Sequence, residues 1–166
     1  MDVNTAFIRS RKTMCPDCGV ECAEALAELS AYTLTQLDAE FIHQHVVDAY
    51  GAQHGGFQGS VRERRTSSNI GVAFSLLGLY LALEKGYTGR QVQRAHMALG
   101  KWRKKYPPPG CSPERALLTV VDVMKAEPGA GREEMLKKWA AAVWDSWKAG
   151  QDWTRSLWKE FENSRG

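Results

Sequence analysis

The sequence lacks any long hydrophobic run and any strong excess of one charge. Its longest apolar stretch, residues 70–83, is shorter than the roughly 20 residues that a helix needs to cross a bilayer. The N-terminus opens with polar residues and lacks the apolar segment of a secretion signal. The net charge is only +3, from 22 Lys and Arg against 19 Asp and Glu, and it neither requires nor excludes a nucleic-acid partner. We therefore expect no membrane association, a cytoplasmic location and reduced cysteines.

The alternation of apolar and polar residues that marks a half-buried strand is also missing, and no internal repeat is evident. Helical patterns cover most of the chain instead. We therefore predict an all-α fold, a compact helical bundle with an N-terminal zinc-knuckle-like turn. Residues 1–14 are expected to form a polar lead-in. Residues 15–166 are expected to form a single helical domain, because a hydrophobic content of 43% suits one core.

Capping residues and helix breakers predict six helices. Their expected bounds are about 22–32, 38–53, 69–85, 89–105, 113–126 and 131–161. Asp38, Thr88 and Ser112 are the expected N-caps of the second, fourth and fifth helices. The third helix is apolar nearly all round, which predicts a central position in the bundle.

The last predicted helix carries five of the six tryptophans, at positions 139, 144, 147, 153 and 158. They recur at helical spacing, which is typical of core packing. Five tryptophans exceed what one buried helix face needs. Part of this Trp-rich C-terminal helix is therefore a candidate surface for a protein partner or for a homo-oligomer.

Cysteine and histidine are scarce, at four residues each, yet both kinds cluster. Three cysteines fall within eight residues and three histidines within twelve: Cys15, Cys18 and Cys22, and His43, His45 and His54. The Cys-Pro-Asp-Cys turn has the spacing that directs two thiolates to one zinc ion at about 2.3 Å. A redox pair uses the same spacing, but usually within a βαβ unit, which this sequence lacks. The cluster therefore predicts a bound metal, most simply zinc.

Helix geometry narrows the choice of the histidine ligand. On a straight helix His43 and His54 lie about 16.5 Å apart, so one ion cannot bind both. If the first two helices pack antiparallel, Cys22 at the start of the first lies near His54 at the end of the second. The predicted metal ligands are therefore Cys15, Cys18, Cys22 and His54, which would form a closed structural site.

Three functions remain open at this point. The first is a binding or scaffold protein with a structural zinc site. The second is a metal-dependent enzyme acting on a small molecule, in which Cys22 is not a ligand and His43, Asp48 and Tyr50 are candidate catalytic residues near an open metal position. The third is a nucleic-acid-associated zinc protein that contacts phosphates through two basic segments, at residues 62–65 and 101–105. We favour the first and regard the third as the weakest.

Beyond these patterns, the chain resembles an uncharacterised bacterial family known only as a domain of unknown function. The shared motifs are a Cys-Pro-x-Cys-Gly turn, a His-x3-Val-Asp-x-Tyr-x2-Gln-His segment and a Trp-Ala-x2-Val-Trp-x2-Trp helix. In this chain they correspond to Cys15–Gly19, His43–His54 and Trp139–Trp147. Gly55 and Ser75 depart from the proline and the histidine that the family usually has. The resemblance favours His43 over His45 as a functional residue and implies no particular activity.

Overall fold

The computed structural model describes residues 20–54, 68–107, 109–111 and 113–166. Within these ranges it contains helices and no β-strand, which confirms the all-α prediction. The helices are α1 (Val20–Thr35), α2 (His43–His54), α3 (Ser68–Leu83), α4 (Gly89–Trp102), α5 (Val120–Lys125), α6 (Ala130–Ser146) and α7 (Gln151–Ser164), with a short 3₁₀ turn at Lys148–Gly150. The predicted knuckle turn and lead-in lie outside the described residues. In the part of the chain that is described, no helix is long and apolar enough to cross a membrane.

Helix α2 begins five residues later than the sequence predicts. The Asp38 carboxylate accepts hydrogen bonds from the backbone N–H groups of Glu40 (2.9 Å) and Ile42 (2.7 Å), so it closes a turn ahead of the helix and does not cap the helix itself. In this turn Phe41 adopts a left-handed φ of 56°. Its carbonyl oxygen packs so closely on Gly89 that any Cβ there would overlap it. The turn is therefore fixed against the start of α4.

The other boundaries follow from local hydrogen bonds. Thr88 caps α4 as predicted, in a capping box with Gln91. The predicted fifth helix is too long, because residues 113–119 are not helical. Helix α5 starts directly after its N-cap Thr119, which forms a second capping box with Asp122. The predicted cap Ser112 lies outside the described residues. The predicted last helix is broken at residues 147–150, which lets α7 return against α3.

Two helices form the centre of the bundle. Helix α3 contacts α2, α4, α6 and α7, which confirms the central position predicted for the apolar helix. Helix α2 is equally central and contacts α1, α3, α4 and α6. Where α2 meets α3, Gly51 lies against Ser75 and Gly78 lies against Asp48, so the two helices run antiparallel. Small residues at these positions allow the close approach.

Most of the tryptophan stripe belongs to the core. Trp139, Trp144, Trp147 and Trp158 are each 5% exposed or less, and Trp153 is partly exposed. These four rings therefore leave little exposed surface for a partner. Partner binding at the Trp-rich C-terminal region stays a prediction.

Candidate metal centre

Helices α1 and α2 contact each other, and one side-chain bond joins them near their connecting turn. A hydrogen bond of 2.9 Å joins Thr33 Oγ1, near the end of α1, to His43 Nδ1, the first residue of α2. Cys22 precedes Thr33 by eleven residues, and His54 follows His43 by eleven. Eleven residues make about three helical turns and about 16.5 Å, so each step returns to the same helix face. In an antiparallel pair, as the sequence predicts, Cys22 and His54 would be displaced equally, and in the same direction, from the bonded Thr33 and His43.

His54 is the most informative residue at this end. Its side chain is 1% exposed, and its Nδ1 lies 3.0 Å from the Tyr50 carbonyl oxygen. Because a carbonyl only accepts, Nδ1 must carry the proton, which leaves a lone pair on Nε2 of the neutral ring. Nε2 is buried and has no hydrogen-bond partner among the described residues. Histidine ligands of metals have this arrangement, in which one ring nitrogen is held by a backbone carbonyl and the other is left to the metal.

The chain around His54 is held from several sides. The Tyr50 ring stacks on the imidazole, with ring centroids 3.9 Å apart. The Trp139 indole N–H donates to Gln53 Oε1 (2.9 Å), and the Trp147 indole N–H donates to the Ala52 carbonyl (2.9 Å). The Gln53 amide in turn donates to the Leu118 carbonyl (2.8 Å). These bonds fix the last turn of α2, and sequence analysis did not identify them.

Cys22 is fully buried. Cys15 and Cys18 lie outside the described residues, so the structure does not test their part in the predicted site. Among the residues that are described, no three His, Cys, Asp or Glu side chains come together as a metal-binding group. The placement of Cys22 relative to His54 and the complete ligand set therefore stay predictions.

The three candidate catalytic residues are not brought together. His43 and Tyr50 share one face of α2 with His54, since seven and eleven residues are close to whole numbers of turns. Asp48 lies about 140° around the helix from His43 and faces Gly78 of α3. His43 is half-buried beside Thr33, and desolvation lowers the pKa of its imidazole.

Asp48 is isolated in the α2–α3 contact. Its side chain is 2% exposed, and Oδ1 accepts one hydrogen bond from the Gln44 amide (3.1 Å), while Oδ2 has no partner in the described structure. Burial raises the pKa of the Asp48 carboxyl well above its usual range, against the weaker opposing effect of Gln44. Burial therefore favours the neutral form of the Asp48 carboxyl, which faces α3.

His45 and Ser75 complete the positions that sequence analysis singled out on α2 and α3. His45 is partly buried near Asp38 and Lys137, and burial lowers the pKa of its imidazole. Its Nδ1 has no hydrogen-bond partner in the described parts of the chain. Ser75, where the family is expected to have histidine, contacts α2 at Gly51, between Asp48 and His54 in the sequence. Residue 75 therefore lies on the surface on which α2 packs.

Residues 13–148 match the model of DUF5946, described as a family of unknown function. Searches of curated proteins and of solved structures found no match. The matched range includes α1 to α6, together with every predicted metal ligand.

Proposed function

Because the chain belongs to this family of unknown function, we propose its role from its own residues: a small helical metal-binding protein with a structural zinc site and a binding or scaffold role. The proposed ligands are Cys15, Cys18, Cys22 and His54. The observation that carries the proposal is the buried Nε2 of His54, which has no partner in the described structure while Nδ1 is held by a carbonyl. Leaving a buried polar atom unsatisfied is costly, so a native protein usually retains one for a reason.

The donor set fits zinc. Three thiolates and one imidazole form a common tetrahedral set, with Zn–S distances of about 2.3 Å and Zn–N distances of about 2.0–2.1 Å. Cys18 precedes Cys22 by four residues, so the connecting chain can span at most about 13–14 Å, which keeps the turn near the start of α1. When bound, zinc would link the N-terminal turn to the α1–α2 pair.

The placement of the other polar residues favours a structural role over the enzyme alternative. Four protein ligands leave no open position for water or substrate. The enzyme alternative needs an open position with His43, Asp48 and Tyr50 near it, but Asp48 faces α3 and burial favours its neutral form. The remaining pair, His43 and Tyr50, does not make a recognisable acid–base set.

The test is the metal content of protein purified without added metal, measured by mass spectrometry for the wild type and for Cys22→Ser and His54→Ala. We expect about one zinc per chain in the wild type and a loss of zinc in both variants, because each removes one of four ligands. Cys111→Ser and His45→Ala are the matched controls. They remove the same side-chain types outside the proposed ligand set and should retain zinc.

Replacing zinc with cobalt distinguishes a closed structural site from a site with an open coordination position. Cobalt absorption reports the number of thiolate ligands, and we expect the signature of three cysteines and one histidine. If the metal persists in Cys22→Ser but is lost in His43→Ala, the site is open and the enzyme alternative replaces this proposal. Absence of metal from the wild type would contradict the proposal directly. Retention of zinc by the His54→Ala variant would contradict it as well.

A further inference from the structure

Positive charge is strongly segregated along this chain. Residues 85–113 contain seven Lys and Arg residues and no Asp or Glu, whereas the rest of the chain contains 15 Lys and Arg against 19 Asp and Glu. The net charge of +3 therefore conceals one cationic segment in an otherwise acidic protein. This segment comprises the turn before α4, which contains Lys85, then α4 itself and the loop that follows it.

The fold turns these charges outward along one face of α4. Val92, Ala95 and Leu99 are buried on the inner side of the helix. Arg90, Arg94, Met97 and Lys101 recur every three or four residues on the outer side and are all exposed. They span three helical turns, or about 16.5 Å, within an arc of about 60°. Lys104 and Lys105 extend the exposed charge beyond the end of the helix. We call these five basic residues, without Met97, the cationic face: Arg90, Arg94, Lys101, Lys104 and Lys105.

The protein itself does not neutralise this face. Arg94, Lys101 and Lys105 make no ion pair or hydrogen bond within the described structure. Arg90 donates to the neutral Gln93 side chain (3.0 Å), and Lys104 donates to the Gly100 carbonyl (3.0 Å). Clustered like charges with no internal partner repel one another, which favours an external polyanion.

A groove lined by both polar and apolar residues lies beside the cationic face. It lies between α4 and α7, has a volume of about 640 Å³ and is open to solvent. Arg94 borders both the groove and the cationic face. Further along, the groove is lined by Tyr87, Gln91, Trp158, Phe161 and Arg165. Glu162 is the acidic residue in its lining, so the groove adds no net negative charge to the region.

We propose that the cationic face of α4 binds the phosphate backbone of a nucleic acid. Repeated exposed point charges are sufficient for phosphate contacts, which dominate nucleic-acid affinity. An acidic protein partner would normally bury an apolar or aromatic centre as well. On the outer side of α4 the apolar residue is Met97, 66% exposed, and the groove aromatics Trp158 and Phe161 are only 5% and 2% exposed. The proposal does not depend on the zinc site, because neither Cys22 nor His54 belongs to α4.

The test is the binding of fluorescently labelled single-stranded and double-stranded oligonucleotides to the full chain, followed by anisotropy over a range of salt concentrations. The variant Arg94→Gln/Lys101→Gln/Lys105→Gln removes three charges without removing any described bond. The control Lys125→Gln/Lys137→Gln/Lys148→Gln removes three exposed charges from the region of α5 and α6. Circular dichroism verifies that both variants are folded.

We expect the wild type to bind at low salt and the α4 variant to bind at least tenfold more weakly. Each lost phosphate contact lowers the slope of log K against log salt by about 0.7 on single strands and 0.9 on duplex, so three should lower it by about two to three. The control variant should keep the wild-type slope. Equal losses in both variants, or no binding by the wild type, would overturn the proposal. Equally tight binding of polyglutamate, lost in the same α4 variant, would assign the face to an acidic protein and would also overturn it.

Discussion

Helices α2 and α3 lie side by side at the centre of the bundle, yet they are buried for different reasons. Helix α3 is apolar along most of its length, so removing its side chains from water is itself favourable. Helix α2 buries polar side chains instead, namely Gln44, Asp48, Gln53 and His54. Burying such groups is costly unless each finds a partner. Helix α2 therefore depends on specific hydrogen bonds where α3 depends on apolar area.

Helices α2 and α3 also differ in their buried polar atoms that lack a hydrogen-bond partner. Four buried side-chain atoms in the described structure have no hydrogen-bond partner, and three of them belong to α2: His45 Nδ1, Asp48 Oδ2 and His54 Nε2. Unsatisfied buried groups are rare in native proteins. These three atoms lie on one twelve-residue helix, and the proposed function rests on one of them, His54 Nε2. Helix α3 provides the surface on which α2 is held.

The largest expected effect comes from Gly78→Ala at the contact between the two helices. A Cβ at this position would overlap the Asp48 carboxylate, and neither helix can retreat without opening the core. We expect a loss of about 1–3 kcal/mol in the free energy of unfolding, measured by urea denaturation. Gly71→Ala is the control, because nothing in the described structure lies within 4 Å of its added Cβ.

The control should leave stability unchanged or raise it by up to about 1 kcal/mol, since alanine has the higher helix propensity. The double variant Gly78→Ala/Asp48→Ala should recover part of the loss. Equal effects of the two glycine substitutions would show that α2 and α3 are not closely packed at Asp48.

The next largest effect on stability is expected from Gln53→Leu. This substitution tests whether α2 depends on hydrogen bonds. The substitution leaves the Trp139 N–H and the Leu118 carbonyl without their partner in the core. We expect a loss of about 2 kcal/mol, measured by thermal or urea unfolding. Gln36→Leu, in the exposed turn after α1, should change stability by less than about 0.5 kcal/mol. A Gln53→Leu protein as stable as the wild type would show that α2 is held by apolar contacts, as α3 is.

The Asp48→Asn variant tests how much stability the protein loses by burying a carboxyl that can ionise. The measurement is the free energy of unfolding as a function of pH. Because burial raises the pKa of Asp48 above its ordinary value of 3.8, the folded protein retains a proton that the unfolded chain releases. Stability therefore falls as pH rises from that value towards the raised pKa. Asparagine keeps the bond from Gln44 and cannot ionise, so we expect Asp48→Asn to remove this decline and to be more stable than the wild type at neutral pH. Parallel stability curves for the two proteins between acidic and neutral pH would contradict this.

The smallest effect is expected just beyond the end of α3. Arg155 donates hydrogen bonds to the Glu84 carboxylate and lowers the pKa of Glu84, against the weaker opposing effect of burial. The pair is largely exposed, so Glu84→Gln should cost less than about 1 kcal/mol and lose that effect at high salt. Its contribution should also disappear in the wild type as pH falls through the lowered pKa. A salt-independent loss above 2 kcal/mol would place this surface contact on a level with the core bonds of α2.

The parts of the fold predicted best from sequence are those set by local patterns. The apolar run of α3 is visible in its own sequence, and the capping box of α4 joins Thr88 to Gln91, three residues away. Periodicity and spacing are therefore sufficient to predict such features. Asp38 was misassigned as a cap because a capping side chain and a turn-closing side chain accept bonds from the same kind of backbone donor. The break at residues 147–150 was missed because the Trp spacing continues across it.

The candidate site shows the same division. The choice of His54 rested on antiparallel packing of the first two helices, with which the Thr33–His43 bond agrees. The bonds that hold the site could not be predicted, because Gln53 meets Leu118 and Trp139, which are 65 and 86 residues away in sequence. Such pairings depend on how the whole bundle closes, and no local pattern encodes them.

The two indole rings bonded to the last turn of α2 also give the protein an optical property. Trp139 and Trp147 donate to the two residues immediately before His54, inside the core. Indole emission shifts to longer wavelength when water replaces a buried partner. Loosening of α2 at His54 should therefore appear as a red shift of the intrinsic fluorescence. The state of this helix end can thus be followed by light emission in the unlabelled protein, without any chemical modification.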